Sequence, residues 1–320
     1  MQKFARWNRW LGEHMFLIVL SALLIGFIWS PGPNALFNSL LVALFSYMTF
    51  MTALGSSMKE FIHILNKPQM PLWSLFLIHI VTPVVAWTIG LIFYPDNFAM
   101  RLGFLITASI PVGVTSIMWT SIINGDVALA LMVVTLDTFI VPLWLPIFFR
   151  VIVGQAVHID FWHLVLQLLI MVTVPSLAGM FINDLTRGKT TAFAKSFGGL
   201  TAKLTMFGVI LINAAEVGPG IQWNISLMKM LFAVLLLVIC GYTLGYIGSF
   251  FYRNPKPATI GAMIYNVGMR NISFGSVLAV TYFTPDVAIP VTFGMLFQQP
   301  LAAAISYYWS RSKFAGQAMD

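Results

Sequence analysis

The chain runs as apolar stretches of about 20 residues, the length a helix needs to cross a bilayer hydrocarbon core, separated by short polar, basic, proline- and glycine-containing hinges. Ten stretches fit: 13–30, 34–54, 71–93, 102–123, 127–152, 161–182, 197–215, 227–251, 258–280 and 285–309. The pattern predicts an all-α polytopic membrane protein of ten transmembrane helices, forming one transmembrane domain over 1–320. A division at the loop 153–160 leaves five spans on each side. An odd number per half inverts the halves, 10–152 and 161–312, relative to each other. Inverted repeats are a transporter arrangement, with the site at mid-depth where corresponding helices of the two halves are interrupted.

The fourth span of each half is interrupted. In the first half the sequence reads Ser109-Ile110-Pro111-Val112-Gly113-Val114-Thr115-Ser116. Pro111 removes a backbone donor, Gly113 loosens the next turn, and hydroxyls stand ready for freed backbone groups. In the second half it reads Tyr265-Asn266-Val267-Gly268-Met269-Arg270-Asn271-Ile272-Ser273, the most polar stretch within any span. Facing half-helix ends offer N–H groups to an anion and carbonyls to a cation. Gly261, Gly268 and Gly275 recur every seven residues and also fit a close-packing face. Close packing does not call for Asn266, Arg270 and Asn271.

Composition fixes the solvent. Apolar residues are 59% of the chain and charged residues 8%, against about 25% charged in soluble domains, so lipid surrounds most of it. The net charge of +7 is topological. Lys3, Arg6, Arg9, Lys59, Lys67, Arg187, Lys189, Lys195, Lys203, Arg253, Lys256, Arg311 and Lys313 fall on the side of the termini, and Arg101, Arg150 and Lys229 fall opposite. Basic residues accumulate in cytoplasmic loops, so both termini are expected in the cytoplasm, with a bacterial plasma membrane as the setting. Basic residues scattered through hinges form no nucleic-acid footprint, and no protein partner is implied. Trp7, Trp10, Trp29, Trp162, Trp223 and Trp309 suit interfacial anchoring. The first apolar run leads into Ser30-Pro31-Gly32-Pro33-Asn34 with no small-residue cleavage pattern, so it is expected to be the first helix, not a signal peptide. The single cysteine, Cys240, excludes an internal disulfide and multi-cysteine metal sites; beside Gly241, Gly245 and Gly248 it reads as a small residue at a helix contact.

A charge at the centre of a span costs roughly 2.5–3.5 kcal/mol on insertion scales and calls for a partner. Arg270 in the ninth span and Asp137 in the fifth are such charges. Arg270 is expected to supply fixed positive charge to an anionic substrate, because guanidinium holds carboxylate bidentately, with Asp137 as its partner in the empty state. The alternative is a permanent ion pair that sets helix registry. Asn266, Asn271, Thr115, Ser116 and Gln298 complete the expected substrate contacts. His79, four residues before Pro83, is a candidate for proton coupling or a packed hydrogen-bond partner. Glu216 and Asp96 lie at span ends, where solvation accounts for them.

At the two breaks the chain resembles the bile acid:sodium symporter family. The likeness covers roughly residues 10–312 and is carried by Met51-Thr52-Ala53-Leu54-Gly55, Pro83-Val84-Val85-Ala86-Trp87, Pro111 through Ser116, Asn124-Gly125-Asp126-Val127-Ala128-Leu129, and Gly268-Met269-Arg270-Asn271-Ile272-Ser273. The resemblance implies a panel domain and a core domain, crossed fourth and ninth helices in the core, and cargo such as bile acids, pantoate, pyruvate or other organic anions held between domains. The chain departs from the family at the sodium ligands. The asparagine after the fourth-helix serine falls on Ile117, the fifth-helix hydroxyls on Ala130 and Val134, the ninth-helix acid and glutamine on Asn266 and Arg270, and a third-helix glutamine on Ile78. A guanidinium within that cage repels a cation, so transport is expected to be independent of sodium, with Arg270 replacing the ion and coupling to protons, to exchange or to nothing.

The expected function is a secondary transporter of a small organic anion, a carboxylate for preference, working by alternating access in the bilayer without a cofactor. A sodium-coupled bile acid or organic anion symporter, and a non-transporting receptor or scaffold of the same fold, are the alternatives. The related arsenite exporters use a fourth-helix cysteine, which this chain lacks. No paired intramembrane carboxylates, histidine–metal cluster or nucleophile with a placed base points to an enzyme.

Overall fold

The computed structural model describes residues 2–32, 34–58, 69–152, 161–221, 224–251 and 255–311. Lys59, Lys67, Trp223, Arg253, Lys313 and the loop 153–160 lie outside the described residues.

The described chain is helical throughout. Helix α1 (Gln2–Glu13) precedes α2 (Met15–Trp29), the pair bent by 73° at the joint. Then come α3 (Ala35–Ala53), α4 (Gln69–Phe76), a wide π turn (Leu77–Val81) and α5 (Thr82–Phe93). The first interrupted span is α6 (Phe98–Ser109) and α7 (Thr115–Ile122); α8 (Val127–Ile152) comes next. Helices α9 (Phe161–Leu168), α10 (Val174–Leu185), α11 (Thr190–Phe193), α12 (Gly199–Val217) and α13 (Ile225–Ser249) lead to the second interrupted span, α14 (Pro257–Gly268) and α15 (Ile272–Tyr282). Helix α16 (Pro285–Ser310) closes the described chain.

Among the described residues seven helical segments are long and apolar enough to cross a membrane, and the bent α1–α2 pair makes an eighth. The halves of the interrupted spans fall below that length: Phe98–Ser109 has 12 residues and Ile272–Tyr282 has 11. The chain is an integral, polytopic, all-helical membrane protein. Side chains at the helix starts explain several boundaries. Asn34, Asn97 and Asn224 each accept a hydrogen bond from an N–H of the first turn, at 2.9, 3.0 and 2.9 Å, and Pro83, Pro257 and Pro285 occupy first-turn positions where no intrahelical donor is needed.

The chain forms two compact units, each drawing on both halves of the sequence: Met1–Asn66, Thr138–Pro219 and Val280–Tyr282 in one; Lys67–Asp137, Gly220–Ala279 and Phe283–Asp320 in the other. In the first unit α12 packs on α2 and α3. A side chain at Gly26 would overlap the Leu211 carbonyl, and one at Gly179 would come within 2.8 Å of the Ala53 methyl, so glycine permits both contacts. Glu216 differs from its expected place in solvent. It is 3% exposed, with Oε1 accepting the Asn34 N–H at 3.3 Å and Oε2 unpartnered. It is enclosed because the chain that turns from α2 into α3 returns over the end of α12, where the Gly32 N–H reaches the Ala215 carbonyl at 3.2 Å.

In the second unit α13 packs on α14, α5 on α6, and α6 on α16. Gly261, Gly268 and Gly275 are all close-packing sites, against Ile123, Tyr242 and Ile110 respectively. Trp7, Trp10, Trp29 and Trp162 are exposed as anchoring side chains should be, but Trp309 is buried, closing over the Gly261 surface of α14.

Candidate functional site

The site forms where the two helix breaks meet, inside the second unit. Helix α6 stops at Ser109 because Pro111 has no N–H to continue it; the chain leaves it extended at Ile110 and turns at Val114 into α7, which begins at Thr115. Helix α14 stops at Gly268; Met269 is extended and Asn271 caps α15, its side chain accepting the Phe274 N–H at 3.2 Å. In a bilayer, backbone groups freed by a break cost several kcal/mol each unless satisfied within the protein. The two breaks satisfy each other. They lie antiparallel, bridged at Val112 and Arg270, with the Gly113 N–H donating to the Met269 carbonyl at 3.0 Å and the Asn271 N–H to the Pro111 carbonyl at 2.7 Å. A Cβ at Gly113 would stand 3.0 Å from the Arg270 carbonyl oxygen, so glycine favours the close approach here.

Two side chains satisfy the remaining backbone groups. Gln298 lies along Arg270 like a third strand: its Oε1 accepts the Arg270 N–H at 2.8 Å and its Nε2 donates to the Arg270 carbonyl at 3.0 Å. Its own carbonyl accepts from the Tyr242 hydroxyl at 2.8 Å. On the other strand Asp137 Oδ2 accepts the Val112 N–H at 2.5 Å. Gln298, expected among substrate contacts, is therefore committed to the backbone of the break. Replacing it with leucine removes two buried hydrogen bonds and leaves a donor and an acceptor unpaired; thermal unfolding of the purified protein should show a loss of about 2–4 kcal/mol.

The charges are arranged differently from the sequence expectation. Asp137 does not pair directly with Arg270. Its Oδ1 stands 2.5 Å from Nε2 of His79, the one ion pair among the described residues, and both side chains are buried. His79 lies in the π turn Leu77–Val81, an irregularity of the kind that often marks functional positions. Arg270 is 6% exposed; its Nη2 reaches the Ile78 carbonyl at 3.3 Å and its Nη1 has no hydrogen-bond partner. Asp137 is linked to Arg270 through the crossing instead: its Oδ2 holds the Val112 N–H, and Val112 is bridged to Arg270. The pairing differs because the break positions the carboxylate: with one oxygen held by the Val112 N–H, the other meets the imidazole.

A small cavity of about 20 Å³ lies beside Arg270, lined among others by Thr82, Thr107, Gly268 and Gln298, room for about one water molecule. Nothing in the sequence pattern singles out Thr82 and Thr107; both hydroxyls donate to carbonyls of Leu77 and Gly103, at 2.8 Å. Asn266 and Ser116 are fully buried, and their side-chain polar atoms have no hydrogen-bond partner; Thr120, one turn beyond Ser116, is the same. They stand on α14 and α7, which pack together. Thr115 is half-buried at the start of α7.

Four positions where the family resemblance expects sodium ligands, Ile78, Ile117, Ala130 and Val134, carry no side-chain oxygen. Both Asp137 oxygens are engaged, and the guanidinium reaches the Ile78 carbonyl.

The chain is similar to known membrane transporters. The profile of the Sodium Bile acid symporter family matches residues 41–222. The Bacillus subtilis protein YbaS is 34% identical over 270 residues, 84% of this chain and 88% of its own. The sodium-dependent transporter YocS of the same organism is 24% identical over 293 residues, 88% of each chain. The human hepatic sodium/bile acid cotransporter is 25% identical over 288 residues, 85% of this chain and 80% of its own.

Proposed function

The chain belongs to the sodium bile acid symporter family, and from that premise we propose that it is a sodium-independent secondary transporter of a small organic anion. The family is one of membrane transporters and not of enzymes. The observation that carries the finer reading is the Arg270 guanidinium, buried at the crossing with one nitrogen unpartnered. A buried cation with an open donor attracts a carboxylate.

In this reading the protein has ten spans in two inverted repeats with both termini cytoplasmic, the unit containing the crossing corresponds to the core domain, and transport proceeds by alternating access. Arg270, Thr115, Ser116, Asn266 and Asn271 contribute to the anion site, with Pro111, Gly113 and Gly268 keeping the breaks open. The printed name of YocS favours a second reading, sodium-coupled uptake. Thermal stabilisation of the purified protein by taurocholate, pantoate and pyruvate, each in sodium and in choline buffer, separates the two. An anion near 100 times its dissociation constant adds about 2.7 kcal/mol. Equal stabilisation in both buffers is expected; stabilisation that requires sodium would establish the second reading.

A further inference from the structure

We infer that the coupling ion is a proton carried by the His79–Asp137 pair, which switches the charge that Arg270 presents to the anion. The inference rests on the anion-transport reading and adds to it the ion that drives the cycle.

The geometry supplies the linkage. Asp137 joins three things at once: the imidazole of His79 through Oδ1, the backbone of the first break through Oδ2 on the Val112 N–H, and, through the Val112–Arg270 bridge, Arg270 on the second break. With an imidazolium at His79 the carboxylate is neutralised within the pair, and the charge of Arg270 is left for an anion. When the imidazole gives up its proton, the carboxylate compensates Arg270 instead. The three side chains sum to +1 in the first state and to zero in the second. Binding a monovalent anion thus favours uptake of one proton by His79, and the proton leaves with the anion on the other side. The pair and its cargo together carry no net charge across.

Few other groups compete. Helix α13 contributes Tyr242, committed to the Gln298 carbonyl, with Lys229 in its first turn over the Tyr94 ring. Helix α14 contributes Tyr265, whose hydroxyl donates to the Ala302 carbonyl. Helix α6 contributes Arg101, held by the Pro95 carbonyl and stacked on Trp87. Asp126 caps the start of α8 on the Leu129 N–H. None of these is in an ion pair with His79, Asp137 or Arg270.

The test uses the full chain in sodium-free proteoliposomes with a lumenal pH dye, to which pyruvate, pantoate and taurocholate are added separately. Lumenal acidification with a ratio near one proton per anion taken up is expected. Affinity should rise as pH falls, by up to about tenfold per pH unit while one proton is linked. Asp137→Asn and His79→Gln should each remove the pH dependence, the first leaving Arg270 uncompensated and the second leaving it compensated. Anion uptake with no acidification and pH-independent affinity would overturn the inference and leave the anion reading standing. If none of the three anions binds, the anion reading fails, and hydrogen exchange over residues 106–118 decides the switch separately. A step with pH at the Val112 amide that Asp137→Asn abolishes supports it; only the smooth base-catalysed rise overturns it.

Discussion

Arg270→Gln is expected to weaken anion binding about 100-fold, equivalent to about 2.7 kcal/mol, within the range for removing one partner of a buried charge-assisted contact. The same change should not destabilise the protein. The guanidinium is buried with Nη1 unpartnered and Nη2 in one long contact, and a neutral amide there relieves a desolvation penalty. An unfolding temperature equal to or above that of the parent, with binding lost, is the combined result expected. If Arg270 serves only to hold the helices, the pattern reverses: lower unfolding temperature and unchanged affinity. Arg270→Lys should fall between, keeping the charge but losing the planar fork.

Asp137→Ala should show the largest effect on stability. It removes the acceptor of the Val112 N–H and the partner of His79, and it leaves Arg270 without its nearby carboxylate. Breaking a buried pair in this way costs about 3–5 kcal/mol, measurable as a depressed unfolding temperature or as loss of folded protein in detergent. Asp137→Asn should cost less, because an amide oxygen still accepts the Val112 N–H. A tolerated alanine would mean that Asp137 does not hold the break.

The helices and their interruptions are legible in the sequence because each has a local cause. Apolar length marks the spans, Pro111 ends α6, and Gly113 permits the close approach of the breaks. The polarity of Asn266, Arg270 and Asn271 singles out the second break without reference to any neighbour. The partners are harder to see. His79 and Asp137 are 58 residues apart, and no spacing rule links a π turn in one helix to a carboxylate in another. Arg270 is the obvious counter-charge, but the requirement to satisfy the Val112 N–H places the carboxylate elsewhere. Gln298 looks like a free ligand in sequence; in space it completes the hydrogen bonding of the break. Glu216 looks solvated because it ends an apolar run, and only the return of the chain over the end of α12 encloses it. Local physics locates the site, and the tertiary demand for backbone partners decides which side chains are left uncommitted.

The most direct test of the central claim is counterflow in proteoliposomes, with sodium absent from both sides, using the anion that stabilises the parent protein. Labelled anion should accumulate in the parent at the same rate in choline as in sodium, and should not accumulate with Arg270→Gln reconstituted at equal density. Accumulation that appears only when sodium is added, or that persists undiminished in Arg270→Gln, would contradict it.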